Sequence, residues 1–523
     1  MKNTTKRMMA LAGVLALGLT AAKAQEDGAL LSALVKKGVL SDQEAQDIRA
    51  SEEKDFSTTA ADKIAVSDYV QKLTFYGDVR YRWEYADEKA YATAPGGTVS
   101  ASAGNGQGEN INERSRIRVR LGVDAKFTDN FTGGVEVETN TANDSANQTL
   151  GDAYGKGSIN LGLAYLQYRP FDWLTLTGGK MRNPLYTTDL VWDPDINPEG
   201  GAEAFNWTFP IGGGESAPAT HDPKDAKDLK SIVAPSGGSD ESLSIGFVAF
   251  QGIYADNLEF NNSVTGSTPT SNHDIWQFVE QVPVQFNFNK STYIKIAPGF
   301  DTYLGGGNNG PSNVPATSAV ENGGGSENFA AYNGATQLAI FTAPGEVDFK
   351  AGTIPLKFYW DFALNFDGKE RIQQVYLTPT PGTAVTAAET QAQNQNRDLG
   401  DNIAWVAGIQ AGNIKKKGDW LVRADFRQVG LGSIDPNLND SDWGDSFLNQ
   451  QGVKLVASYS FTDFLVGSIT AYDTWALKSG LWASQNPSGL PVVANASGTT
   501  AGLQGLAAAS QTQRVDVDLQ WKF

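Results

Sequence analysis

The residue types that carry most catalytic and metal chemistry are scarce in this chain. Its 523 residues include no cysteine and two histidines, His221 and His273. Both histidines stand alone in polar stretches, so neither a zinc set nor a nucleophile and base pair can be assembled around them. Asp193, Asp195 and Asn197 alternate as the first oxygen ligands of a calcium loop do. Pro198, however, takes the sixth place, where a glycine is needed, and Ala204 the twelfth, where a bidentate glutamate belongs. Asp516 and Asp518 could form an acid and base pair, but on a polar strand face such pairs are far more often solvated wall residues. The runs Gly305 to Gly307 and Gly323 to Gly325 lack the strand and helix context of a phosphate loop and read as loop tips. No metal, no cofactor and no enzymatic activity are expected.

What remains is charge laid out with a period of two. In ERSRIRVRLGV, Arg114, Arg116, Arg118 and Arg120 fall on one face of a strand, and Ile117, Val119 and Leu121 on the other. Arg80 and Arg82 precede them on an adjoining strand, Lys180 and Arg182 follow, and Arg423 and Arg427 extend the cationic set. Opposing carboxylates are Asp78, Glu84, Asp124, Glu136, Glu138, Asp361, Asp425, Asp516 and Asp518. Two readings stand level. The row is an electrostatic filter facing water, or it is paired with neighbouring carboxylates and stiffens a wall.

The elements that would carry this charge are long amphipathic strands. IPLKFYWDFALNF sets Ile354, Leu356, Phe358, Trp360, Phe362, Leu364 and Phe366 on one face, with Lys357, Tyr359, Asp361 and Asn365 on the other. Sandwich strands usually run about 5–6 residues, whereas these reach the ~9–11 residues that cross a bilayer at a tilt. Aromatics near the ends of the apolar faces suit an interfacial girdle. The chain closes on QRVDVDLQWKF, whose apolar face ends at Phe523, as the last strand of an outer-membrane barrel commonly does.

Strands are predicted near 72–86, 111–126, 130–140, 158–169, 172–182, 201–209, 241–252, 274–289, 291–304, 337–349, 353–367, 401–411, 418–430, 450–461, 463–476 and 510–523. Tight turns such as PFD and KKKGD alternate with long Gly, Ser, Thr and Asn stretches, as bacterial barrels require. The exception is 212–240, a long polar insertion where the alternation demands a short turn. The strand over 201–209 is the least marked. The fold class is therefore all-β, a transmembrane antiparallel barrel of about 16 strands, preceded by a short N-terminal periplasmic helical segment.

Residues 1–24 read as a signal peptide, with Lys2, Lys6 and Arg7 before an apolar run and Ala22 and Ala24 at the cleavage positions. Residues 25–71 hold a predicted pair of short helices, the second opened by a Ser41 and Glu44 capping box, and a linker. The barrel occupies 72–523. A net charge of −18 argues against a nucleic-acid partner. A barrel of this width leaves a water-filled lumen, so the expected function is passive diffusion of small hydrophilic solutes and ions across a Gram-negative outer membrane. Arginines on the wall would favour anions. The alternative is a non-conducting structural or adhesin barrel with a blocked lumen.

NERSRIRVRLGVDAKFTDNFTGGVEVETN and AYLQYRPFDWLTLTGGKMRNPLYTTDLVWDPDINPEGGA resemble the putative-porin family of Gram-negative outer membranes, which is similar to the phosphate-selective porins O and P. The resemblance implies a trimer of sixteen-stranded barrels in outer-membrane lipid, with the terminal Phe523 read by the barrel-assembly machinery. It also implies a third outer loop folded inward to constrict the pore, here carrying Asp189, Asp193, Asp195 and Glu199. That acidity departs from the basic constriction of the phosphate-selective members, so the solute stays open.

Overall fold

The computed structural model describes residues 37, 41, 43–44, 67, 69–89, 109–140, 145–211, 241–255, 275–305, 338–371, 401–430, 432–444, 448–477, 493–494, 500–501 and 511–523. The chain divides into two units, Met1–Val70 and Gln71–Phe523. In the first, the Ser41 Oγ accepts from the Glu44 N–H at 3.2 Å while the Glu44 carboxylate accepts from the Ser41 N–H at 2.9 Å, so the capping box forms. The signal peptide and most of the helical pair lie outside the described residues, and the helical segment is not established as part of the fold.

The second unit is a closed antiparallel barrel. Its strands are β1 (Lys72–Lys89), β2 (Glu109–Thr128), β3 (Phe131–Thr139), β4 (Ile159–Phe171), β5 (Leu174–Lys180), β6 (Glu199–Ile211), β7 (Glu241–Ala255), β8 (Ile275–Gln281 and Val284–Asn289), β9 (Thr292–Ile296 and Gly299–Gly305), β10 (Ala339–Thr342 and Gly345–Ala351), β11 (Ile354–Asn365), β12 (Ile403–Gly412), β13 (Trp420–Val429), β14 (Gln450–Ser460), β15 (Leu465–Ala476) and β16 (Gln511–Lys522). Each pairs with its sequence neighbours, and β16 returns to β1. The weakly marked strand is present as β6. It places the 212–240 connection at the short-turn end, although that segment itself lies outside the described residues.

Three adjacent strands break where the sequence suggests continuous runs. The cause is a proline in each, Pro283, Pro298 and Pro344, which has no N–H for the ladder. The residue before each proline still bonds: Val282 N–H donates to the Pro298 carbonyl at 2.8 Å, Ala297 N–H to that of Pro344 at 2.9 Å, and Ala343 N–H to that of Phe362 at 2.8 Å. Register is therefore kept across the breaks, with Gln281 opposite Gly299 and Gly299 opposite Thr342.

Closure extends to the last residue. Gly77 and Phe523 exchange two backbone hydrogen bonds of 3.1 Å. The Phe523 ring lies over the glycine, where a Cβ would stand 2.8 Å from Cζ. The two faces of each strand then separate by polarity. Leu121 is 48% exposed on the outside, whereas Arg118 is 6% exposed on the inside. Outward aromatics collect at the short-turn end: Phe171 stacks on Trp173 at 5.0 Å, Trp173 on Trp207 at 6.2 Å, and Trp521 meets Phe523 at 5.2 Å. This is the interfacial girdle of a membrane barrel.

Candidate pore constriction

The register of β1 and β2 sets Arg80 opposite Arg118 and Arg82 opposite Arg116. Like charges facing across a ladder destabilise it, so carboxylates must intervene. Asp78 faces Arg120 and Glu84 faces Arg114 within the same pair of strands, and β16 adds Asp516 and Asp518 beside Glu84 and Arg82. Arg82 reaches Asp518 at 2.8 Å and Asp516 at 3.0 Å. Glu84 receives Arg116 at 3.3 Å and Arg514 at 3.0 Å, with Arg114 beside it at 2.5 Å. Arg118 meets Asp78 at 3.1 Å, and Arg120 meets Glu138 at 3.2 Å.

The remaining partners come from two loops. Asp195 of the 181–198 loop bridges Arg118 at 3.4 Å and Arg120 at 2.5 Å. Asp442 of the 430–449 loop bridges Arg82 at 2.8 Å and Arg514 at 2.7 Å. Among the described residues the ladder thus holds seven arginines (80, 82, 114, 116, 118, 120 and 514) and seven ion-paired carboxylates (Asp78, Glu84, Glu138, Asp195, Asp442, Asp516 and Asp518). Arg80 has the loosest pairing, 4.0 Å from Asp518, and donates to the Asn147 side chain at 2.7 Å.

A second cluster on β13 and β14 repeats the balance. Asp189 lies 2.8 Å from Lys454, 3.2 Å from Arg427 and 3.3 Å from Arg423. Asp425 meets Arg423 at 3.0 Å and Arg427 at 3.2 Å, and Asp440 meets Lys454 at 2.8 Å and Arg427 at 3.3 Å. Three cations face three carboxylates, two of which again belong to the loops.

The third loop reaches wall strands far apart around the barrel, which only a segment inside the lumen can do. Besides β2, β13 and β14, its Thr188 Oγ1 donates to Asp361 on β11 at 2.7 Å, and its Tyr186 backbone bonds Gln281 on β8. Lys295 of β9 lies 3.8 Å from the centre of the Tyr186 ring. Met181, Leu185 and Trp192 pack on inward Ala202, Ala204, Val248, Phe250 and Val279. These small and apolar inward residues explain why β6 is faint in sequence: its lumen face is a packing face, so the expected polar alternation is lost. Leu190 packs separately with Ile434 and Trp443 of the 430–449 loop.

The two loops are bonded to each other. Asp440 N–H donates to the Asp189 carbonyl at 3.2 Å, Asp193 N–H to that of Leu438 at 2.5 Å, and Ser441 gives both its N–H and hydroxyl to the Asp193 carboxylate at 2.9 and 3.0 Å. Burial acts to raise Asp189, Asp193, Asp195 and Asp442, but cations overcome it at three of them. Arg427, Lys454 and Arg423 hold Asp189 well below the ordinary carboxylate range, Arg120, Arg118 and Arg80 hold Asp195 low, and Arg514 and Arg82 hold Asp442 low. Asp193 goes the other way: burial, then Asp195 and Asp440, push it well up.

The other residues singled out from sequence are placed as follows. Arg182 lies between the rings of Tyr76 and Tyr165, 5.1 and 5.4 Å from their centres, donates to both hydroxyls at 2.6 Å, and pairs with Asp124 at 3.4 Å. Gly122 makes room for Tyr76, since a Cβ there would fall 2.2 Å from the ring. Lys180 and Glu199 pair with each other at 2.7 Å at the long-loop end of β5 and β6, away from the two clusters; Glu199 is the first residue of β6. His221 and His273 lie outside the described residues, and among the described residues no His, Cys, Asp and Glu cluster suits a metal. The sequence reasoning passed over Asp440, Asp442, Trp443 and Lys454, and placed Arg514 only on the polar face of the last strand. One signal was available: the run DPNLNDSDW mixes acids with Leu and Trp, as DLVWDPDIN does, unlike the Gly and Ser loops around it.

A closed sixteen-stranded barrel with an apolar outside, an aromatic girdle and a charged lumen narrowed by inward loops defines the class of outer-membrane β-barrel channels. The family model described as Putative porin matches residues 39–305, and the chain belongs to that family of outer-membrane porin channels. Among solved structures it is similar to the Salmonella typhi OmpF complex with daunomycin, at 10% identity over 88% of this chain and 99% of that one, with a TM-score of 0.39. It is also similar to the outer membrane channel DcaP of Acinetobacter baumannii, at 12% identity over 87% and 99%, with a TM-score of 0.37. No curated protein matches the sequence.

Proposed function

We propose that the chain is a general diffusion porin for small hydrophilic solutes, whose constriction is built jointly by the third and seventh long loops. The observation that carries this reading is the double docking of the loop acids on basic walls at β1, β2 and β16 and at β13 and β14. Because both clusters balance, the charge preference is weak, and an anion bias rests on Arg80, the least neutralised member of the ladder. The remaining ladder residues, Arg114 to Arg120 included, line the wall and hold the loops. The mature chain begins after Ala24 with its N-terminal segment in the periplasm, assembles through the barrel machinery by its Phe523 strand, and forms a trimer. Planar-bilayer recording tests the channel: stepwise conductance with a reversal potential near zero in a salt gradient is expected. Two apolar clusters inside the lumen favour one second reading, a structural barrel without a through path. Inserted but silent protein would establish that reading and overturn the porin.

A further inference from the structure

The outer wall is not apolar all the way round. On β6, β7 and β8 the inward residues Ala202, Ala204, Val248, Phe250 and Val279 pack on the third loop. Glu203, Ala249, Gln251 and Glu280 alternate with them along the strands and so point outward. Glu203 faces Ala249, and Ala249 faces Glu280, which sets two carboxylates in one row. Glu280 is exposed, and Glu203 accepts from Gln251 Nε2 at 3.0 Å. Glu199, four residues before Glu203, lies on the same face with its partner Lys180.

These groups stand at the depth of acyl chains. Counted from the short-turn ends, Lys180 is the seventh residue of β5, Glu203 the ninth of β6 and Glu280 the tenth of β8. Exposed Trp207 lies nearer the short turns, and exposed Ile253 and Trp276 nearer the long loops, so the acids are bracketed by apolar wall. Leu121, the eighth residue of β2 from the same end, shows what the wall carries elsewhere at this depth.

The wall is also low here. β5 has seven residues, fewer than the ~9–11 that cross a bilayer, and beyond it the chain turns inward at buried Met181. Lipid cannot satisfy loop backbone at a rim that stops within the hydrocarbon. Beside that rim, a Cβ at Gly178 or Gly201 would meet nothing closer than 3.6 Å, so these glycines leave a flat face that another backbone can approach. A depression of about 500 Å³ opens between Lys180, Glu199, Gly201, Gln251 and Trp276.

We infer that the outer face of β5 to β8 is where copies of this chain meet. Acyl chains solvate neither carboxylates nor a low rim, whereas a second copy inserted at the same height covers both. The edges of the patch carry opposite charge, Lys180 on β5 and Glu280 on β8. A head-to-tail contact around a closed axis therefore brings Lys180 of one copy toward Glu280 of the next. The inference rests on the proposed trimer and locates its contact; it does not rest on conduction.

Because the chain has no cysteine, single cysteines report the contact. Full-length Ala249→Cys, inside the patch, and Ile409→Cys, outward on β12, are treated with a bis-maleimide in reconstituted vesicles and run on denaturing gels. The mass of each assembly in detergent is read by native mass spectrometry. Ala249→Cys is expected to give dimers and trimers, and Ile409→Cys monomers. E203L/E280L should raise the dissociation constant of the assembly by about tenfold, whereas a patch facing lipid would leave it unchanged. Trimeric mass without multimers from Ala249→Cys, equal multimers from Ile409→Cys, or unaltered association of E203L/E280L overturns this proposal alone. A monomeric mass for the wild type overturns the trimer and this proposal together, and conductance of the same sample decides the channel separately.

Discussion

The side-chain amide of Gln281 closes a two-point clamp on Tyr186: the Tyr186 N–H donates to Oε1 at 2.8 Å, and Nε2 donates to the Tyr186 carbonyl at 2.9 Å. A wall strand thereby satisfies the backbone of an inward loop as a neighbouring strand would. Burying either group unpaired would cost about 1–3 kcal/mol. Gln281→Ala should loosen the third loop and raise single-channel conductance or its flicker. Conductance identical to wild type would show that the clamp does not set the pore.

Asp189 serves three cations that would otherwise repel one another. Asp189→Asn leaves Arg423, Arg427 and Lys454 with two carboxylates, and breaking a buried ionic group of this kind costs about 3–5 kcal/mol. The variant should unfold at lower urea concentration and shift the reversal potential toward anion preference. A stability loss without any shift would mean that the cluster lies off the conduction path.

Within the ladder, Arg80 and Arg118 should separate selectivity from architecture. Arg80→Gln removes a charge whose only ion pair among the described residues is 4.0 Å long, so anion permeability should fall with little change in stability. Arg118→Gln removes a partner of both Asp78 and Asp195. It should lower stability and widen the pore by freeing the third loop. The two variants behaving alike in both measurements would refute this division.

Acidity should tighten the constriction. Asp193 is raised in the docked loops, so its contribution is complete below the ordinary carboxylate value of about 4 and is lost as pH rises through its elevated value. Asp189, Asp195 and Asp442 are depressed, so theirs is present above about 4 and is lost only as pH falls through their lowered values. Conductance is therefore expected to rise as pH is raised through the elevated value of Asp193. Asp193→Asn should flatten that slope, and an unchanged slope would remove Asp193 from the mechanism.

The barrel was legible because its signal is local. A period of two, repeated over segments long enough to span a bilayer and separated by alternating short and long connections, determines strand number and which face meets lipid. Ile117, Val119 and Leu121 on one side and four arginines on the other need no distant partner to be read. The prolines that interrupt β8, β9 and β10 were visible too, but their alignment across three strands appears only once the register is known.

The use made of the arginines was a different matter. Their periodicity is the same whether they face open water or a carboxylate, and the carboxylates that decide the question, Asp195 and Asp442, lie 75 residues from Arg120 and 360 from Arg82. Nothing local encodes such pairings. They arise because two loops, whose apolar residues find small inward side chains such as Ala202 and Ala204 to pack on, fold into the lumen and bring their acids to the wall. Sequence alone determined a membrane barrel with a charged interior. The tertiary structure decided that this interior charge is largely neutralised by its own loops, because Coulomb attraction acts between residues that only folding brings within a few ångströms.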